Sequence, residues 1–100
     1  MKTGIELIAD ERARQINAEG WSPDHDDGHV EAELTHAAIC YADVAASQAV
    51  VGGRGESYGP ADEWPWDFEW FKPSDDPVRN LVKAGALIAA EIDRLSRINA

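Results

Sequence analysis

Disulfides, long apolar runs, positive charge and internal repeats are scarce or missing in this chain, and each shortage narrows what it can be. Cys40 is the single cysteine, so no disulfide can form within the chain and a reducing compartment is expected. No run approaches the roughly 20 apolar residues of a membrane span, and the start, Met1-Lys2-Thr3-Gly4-Ile5-Glu6, lacks the apolar region of a signal peptide. The expectation is a cytoplasmic protein without membrane association. Nine Lys and Arg stand against 19 Asp and Glu, a formal net charge of −10. General nucleic-acid binding, which needs cations to displace phosphate counterions, is therefore disfavoured. The acidity serves solubility, or lets the protein occupy a basic surface as a nucleic-acid mimic. There is no repeat and no long low-complexity tract. One hundred residues suffice for a single domain, 1–100, with one core.

What is present reads as helix. Thr3-Gly4-Ile5-Glu6 has the form of a capping box and opens a helix from about Gly4 to Ala18, with Ile5, Ile8, Ala9, Ala13 and Ile16 as its apolar face and Gly20 as its stop. Trp21 to Gly28 is loop by composition, with Pro23 and three aspartates. A second helix is predicted to begin near Asp27 or Gly28 and to continue to about Gln48, burying Val30, Leu34, Ala37, Tyr41, Val44 and Ala45. Four glycines and Pro60 make residues 50–63 a mobile loop by expectation. In the final helix, Asp76 caps and Pro77 takes the first position. Val78, Leu81, Gly85, Ile88, Ile92 and Leu95 recur there at spacings of three and four, a stripe expected to face the core.

Between the loop and the last helix, residues 64–71 carry five of the eight aromatics. Pro65 and Pro73 work against strand pairing, so an extended or single-turn cover over the helices is predicted. The fold class is thus all-α: a small bundle of three main helices with an aromatic segment packed over them. Gly85, inside a helix, signals close approach of another backbone. With so thin a core, self-association as a homodimer through the Gly85 face is expected.

Two constellations have chemical content. Trp21, Trp64 and Trp66, with Arg12, Arg14, Gln15, His25, Asp26, Asp27, Lys72 and Arg79, outline a cleft in which rings could stack on a base and cations hold phosphate. Separately, His29, Glu33 and His36 stand at i, i+4 and i+7 on one helical face, with Asp26 and Asp27 just before them. With Glu91 of the last helix they form a candidate site for a divalent metal, the one cofactor the sequence suggests. The bland alternative is a solvated polar face. Glu91-Arg94 and Asp93-Arg97 most simply make surface ion pairs, although Lys83, Leu87 and Glu91 form a second stripe that could face a cleft. No phosphate-binding glycine loop or nucleophile elbow is present, and no catalytic residue is assigned.

The residues Glu11-Arg12 through Gln15, Glu19-Gly20-Trp21, His25-Asp26-Asp27, Trp64-Pro65-Trp66, Lys72-Pro73, Arg79 to Ile88 and Glu91 to Leu95 resemble a group of small phage and prophage proteins. That resemblance spans most of the chain and implies a phage origin, hence the cytoplasm of a bacterial host. Glu19-Gly20-Trp21 with Asp26-Asp27, and Pro77-Val78-Arg79 opening a helix, are also similar to the ryanodine-receptor repeat domain. Its prokaryotic versions are linked with nucleotide sensing in defence systems. The carboxylates are similar to those of MazG-type pyrophosphohydrolases, but the paired Glu-x-x-Glu motif is not reproduced, since Glu31-Ala32-Glu33 has another spacing.

Three readings follow. The first is a non-enzymatic phage protein that binds a nucleotide or nucleotide-derived signal to counter host defence. The second is a metal-dependent enzyme resembling nucleotide pyrophosphohydrolases, and the third an acidic inhibitor of a host protein.

Overall fold

Thr3 sets the first helix as its sequence predicts. Its Oγ1 accepts the Glu6 N–H at 3.2 Å and its own N–H donates to Glu6 Oε1 at 2.8 Å, a complete capping box for α1 (Gly4–Glu19). Gly20, left-handed at φ 74°, ends it. The computed structural model describes residues 1–51 and 64–98. Within them follow α2 (Pro23–Asp26), α3 (Glu33–Val51), a single 3₁₀ turn (Phe68–Trp70) and α4 (Pro77–Ile98), with no strand among the described residues. The predicted all-α bundle with an aromatic cover is the observed architecture. The expected mobile loop at 50–63 lies outside the described residues, save that Val50 and Val51 finish α3.

Two boundaries differ from expectation. Residues 23–26 form a helical turn of their own, because Ser22 Oγ caps the His25 N–H at 3.2 Å and Pro23 is preset for the first helical position. The second long helix therefore starts at Glu33 and not at Asp27 or Gly28, after Ala32 turns the chain through a left-handed φ of 63°. Val30 falls outside any helix and is exposed.

The core lies where α3 meets α4. Leu34, Ala37, Ala38 and Tyr41 of α3 pack on Ala84, Leu87 and Ala90 of α4, with Trp21, Trp64, Trp66 and Phe71 closing over them. Alanines on both sides let the helices approach closely, and Leu34 and Leu87 each contribute roughly 1.5–3 kcal/mol through burial.

The face that α4 presents to this core is not the predicted one. Val78, Leu81, Ile88, Ile92 and Leu95 look outward, 44–58 % exposed, while Asn80, Leu87, Glu91 and Arg94 are buried. The inward choice is possible because each buried polar group has a partner. Asn80 Nδ2 donates to Gln48 Oε1 (2.9 Å) and the Ser74 carbonyl (2.8 Å), and its Oδ1 accepts the Ser74 N–H (2.8 Å). Thr35 Oγ1 donates to Glu91 (3.0 Å), whose other oxygen accepts from Arg94 at 2.6 Å. Glu91–Arg94 is thus an interior pair, and Arg97 pairs with Asp27 (2.7 Å) instead of Asp93. Gly85 is approached by a side chain, Ile8 of α1, rather than by a backbone.

Candidate functional site

Glu11 and Gln15, four residues apart on α1, are its two buried positions, and they form the floor of a pocket. Gln15 Nε2 donates to Glu11 Oε2 at 3.2 Å, Arg14 forks onto both Glu11 oxygens at 2.9 Å, and Arg79 Nη2 lies 2.7 Å from Glu11 Oε1. Burial alone would push the Glu11 carboxyl up, but the two guanidinium groups outweigh it and hold it below the usual carboxylate range. Arg14, bound to Glu11 and Glu19, is held firmly charged.

Rings make the walls. Trp21 lies parallel to His25 (6.3 Å between centroids), His25 meets His29 edge-on at 4.9 Å, and His29 meets Trp66 at 5.2 Å. Trp66 continues to Trp64 at 5.4 Å, and Trp64 to Phe71 and Tyr41 at 4.7 and 5.8 Å. Segments from α2, the turn before α3, and the 64–71 cover are thereby joined in one unbroken run of rings. Three anchors hold it: Arg12 donates to the Trp21 carbonyl (3.4 Å), Trp64 Nε1 to the Asp67 carbonyl (3.0 Å), and the Lys72 N–H to Tyr41 Oη (3.1 Å). The cleft they border has a volume of about 550 Å³ and is lined by Trp21, His25, His29, Trp64, Trp66 and Trp70 together with Glu11, Arg14, Gln15, Glu19, Lys72 and Lys83. That volume suits a small molecule.

Lys72 and Lys83 bring positive charge to this wall, and among the described residues neither is paired with a carboxylate. Lys83 Nζ donates to the Lys72 carbonyl at 2.6 Å and stands over the Tyr41 ring at 5.4 Å. Burial, followed by the nearby Arg79 charge, lowers its pKa. Two buried polar atoms of the pocket residues, Gln15 Oε1 and His29 Nε2, also have no hydrogen-bond partner among the described residues. Leaving such an atom unpaired costs about 1–3 kcal/mol, which a suitable ligand group could recover.

Of the sequence-derived ligand set, Gln15, Trp21, His25, Trp64, Trp66 and Lys72 come together in this pocket. Arg12 and Asp26 instead form a buried ion pair at 2.7 Å, with Asp26 only 1 % exposed. Asp27 sits at the surface with Arg97, and Arg79 lines a separate depression with Leu7, Val78 and Val82. The metal set is not gathered. Glu33 faces His29 at 3.4 Å, His36 is exposed, Asp26 is held by Arg12, Asp27 by Arg97, and Glu91 by Arg94 and Thr35. Among the described residues no group of three or more His, Cys, Asp or Glu is arranged to hold a metal ion.

Arg14, expected among the cations of the cleft, does line the pocket, whereas sequence reasoning missed Glu11 and Lys83 as pocket residues. The spacing of Glu11, Arg14 and Gln15 was a visible i, i+3, i+4 signal on α1, and Lys83-Leu87 had been noted as a stripe that could face a cleft. No helix among the described residues is long and apolar enough to cross a membrane. Comparison of the chain with protein-family models, with curated proteins and with solved structures found no match.

Proposed function

We propose that this chain is a ligand-binding protein whose ring-lined pocket takes a nucleotide or a nucleotide-derived signal. One observation carries the reading: indole rings from two separate segments, and two lysines that have no carboxylate partner among the described residues, border the same space of about 550 Å³. Indole faces stack on any base, at about 1–3 kcal/mol per base. A phosphate beside Lys72 and Lys83 would supply the negative charge that the desolvated Lys83 amine lacks. The resemblance to small phage proteins and to a module linked with nucleotide sensing supports placing this binding in a bacterial host, where sequestering a nucleotide signal would blunt defence.

Titration calorimetry tests the reading, using mononucleotides, cyclic mono- and dinucleotides and ADP-ribose derivatives, each with Mg²⁺ and again with chelator. Binding by the wild type is expected in the presence of chelator. Trp66→Ala should weaken it by about tenfold or more, and Lys83→Met, which keeps the aliphatic stem, should weaken phosphate-bearing ligands more than the corresponding nucleosides. Absence of binding by every compound, or unchanged affinity in both variants, rejects the proposal. Binding abolished by chelator would instead favour a metal-dependent site.

A further inference from the structure

α4 is apolar on the side it turns away from its own core. Val78, Leu81, Gly85, Ile88, Ile92 and Leu95 follow one another at intervals of three, four, three, four and three, the repeat by which a helix keeps a seam against another helix over its whole length. In the single chain α1 meets that seam at Gly85, and the side chains on either side of that contact stay open: Leu81 is 53 %, Ile92 58 % and Leu95 44 % exposed. The one position without a side chain, Gly85, is filled from outside the helix, because Ile8 of α1 lies directly over it. The aliphatic strip is therefore continuous from Val78 to Leu95, and Ile98 extends it.

We propose that this stripe is an interface with a second copy of the same chain, α4 packing on α4 across a two-fold axis. Three observations point to a copy rather than to another occupant. First, a heptad stripe is self-complementary: the spacing that one helix requires is the spacing its twin presents. Second, the area fits. Val78, Leu81, Ile88, Ile92, Leu95 and Ile98 expose on the order of 500 Å² per chain, so two copies would bury on the order of 1,000 Å², the threshold for a specific interface. Third, the flanks do not repel. A chain of net charge −10 would resist pairing through most of its surface, yet Ala89 and Ser96 beside the stripe are small and uncharged. An acidic protein is also poorly suited to lay this face on an anionic lipid surface.

Sedimentation equilibrium of the full chain, from low to high micromolar concentration, tests the proposal. The wild type is expected to pass from the mass of one chain to that of two, more readily at higher salt as like-charge repulsion is screened. Ile88→Glu and Ile92→Glu place a charge on side chains that are already half in solvent, so helicity by circular dichroism should persist while dimer affinity falls about 100-fold or more. Should either fail to fold, Ile92→Ala keeps the helix and must still weaken association by about tenfold. A wild type that remains a single chain throughout, variants that associate as it does, or a lone chain that uses this stripe to capture a different protein would each overturn the inference.

Discussion

Ile8 lies across Gly85 so closely that a methyl group added to the glycine would stand 2.6 Å from Ile8 Cδ1 and 2.9 Å from Cγ1. Two effects compete at this point. Alanine in place of a mid-helix glycine gains about 1 kcal/mol, whereas forcing a β-branched neighbour aside typically costs about 1–3 kcal/mol. With two Ile8 atoms inside contact distance, overpacking wins. Gly85→Ala should therefore lower stability by about 1 kcal/mol in urea unfolding, and the same change made on an Ile8→Ala background should raise it. A double-mutant cycle with no coupling between the two positions would contradict this contact.

Acid should unfold the protein partly through Glu11. Its folded pKa lies below the ordinary 4.5, so the unfolded chain binds the proton more readily. The stabilisation is then fully present above about pH 4.5 and is lost as pH falls through the lower folded value. Glu33, also lowered, acts in the same direction. In Glu11→Gln the fall in stability below about pH 4.5 should be shallower than in the wild type, as measured by chemical denaturation at successive pH values. An unchanged slope would mean that Glu11 does not contribute to it.

Ala32 holds a left-handed φ of 63° immediately before α3. That conformation costs an L-residue roughly 1–2 kcal/mol and glycine almost nothing, while glycine loses more freedom on folding. Ala32→Gly should thus raise stability by up to about 1 kcal/mol. A loss of similar size in thermal or urea unfolding would argue that the turn into α3 is not strained.

The parts of this fold that were legible in the sequence are those fixed by neighbours in the chain. Thr3 with Glu6, Gly20, and Asp76 with Pro77 each act within a few residues, and each marks a helix end as expected. The face of α4 was not legible. Periodicity groups Leu81, Ile88 and Ile92 on one side but does not say what that side meets, and the burial of Asn80 and Glu91 depends on Gln48, Ser74 and Thr35, supplied from elsewhere in the chain. The site divides the same way. The concentration of rings at 64–71 pointed to a cover over the helices, with a ring-lined pocket as the alternative, and those rings serve as both, whereas Arg12 and Asp26, named for a ligand, are absorbed by each other across 14 positions. A sequence gives charges but not their pairing, and pairing decides which cations remain for a phosphate.

All four tryptophans, Trp21, Trp64, Trp66 and Trp70, border the same pocket. The whole of the protein's indole emission therefore originates at the walls of its candidate site, with no distant tryptophan to dilute the signal. A base settling against those rings would quench or shift the fluorescence of the entire molecule. The chain carries its own indicator, and occupancy can be followed on unlabelled protein at concentrations too low for calorimetry.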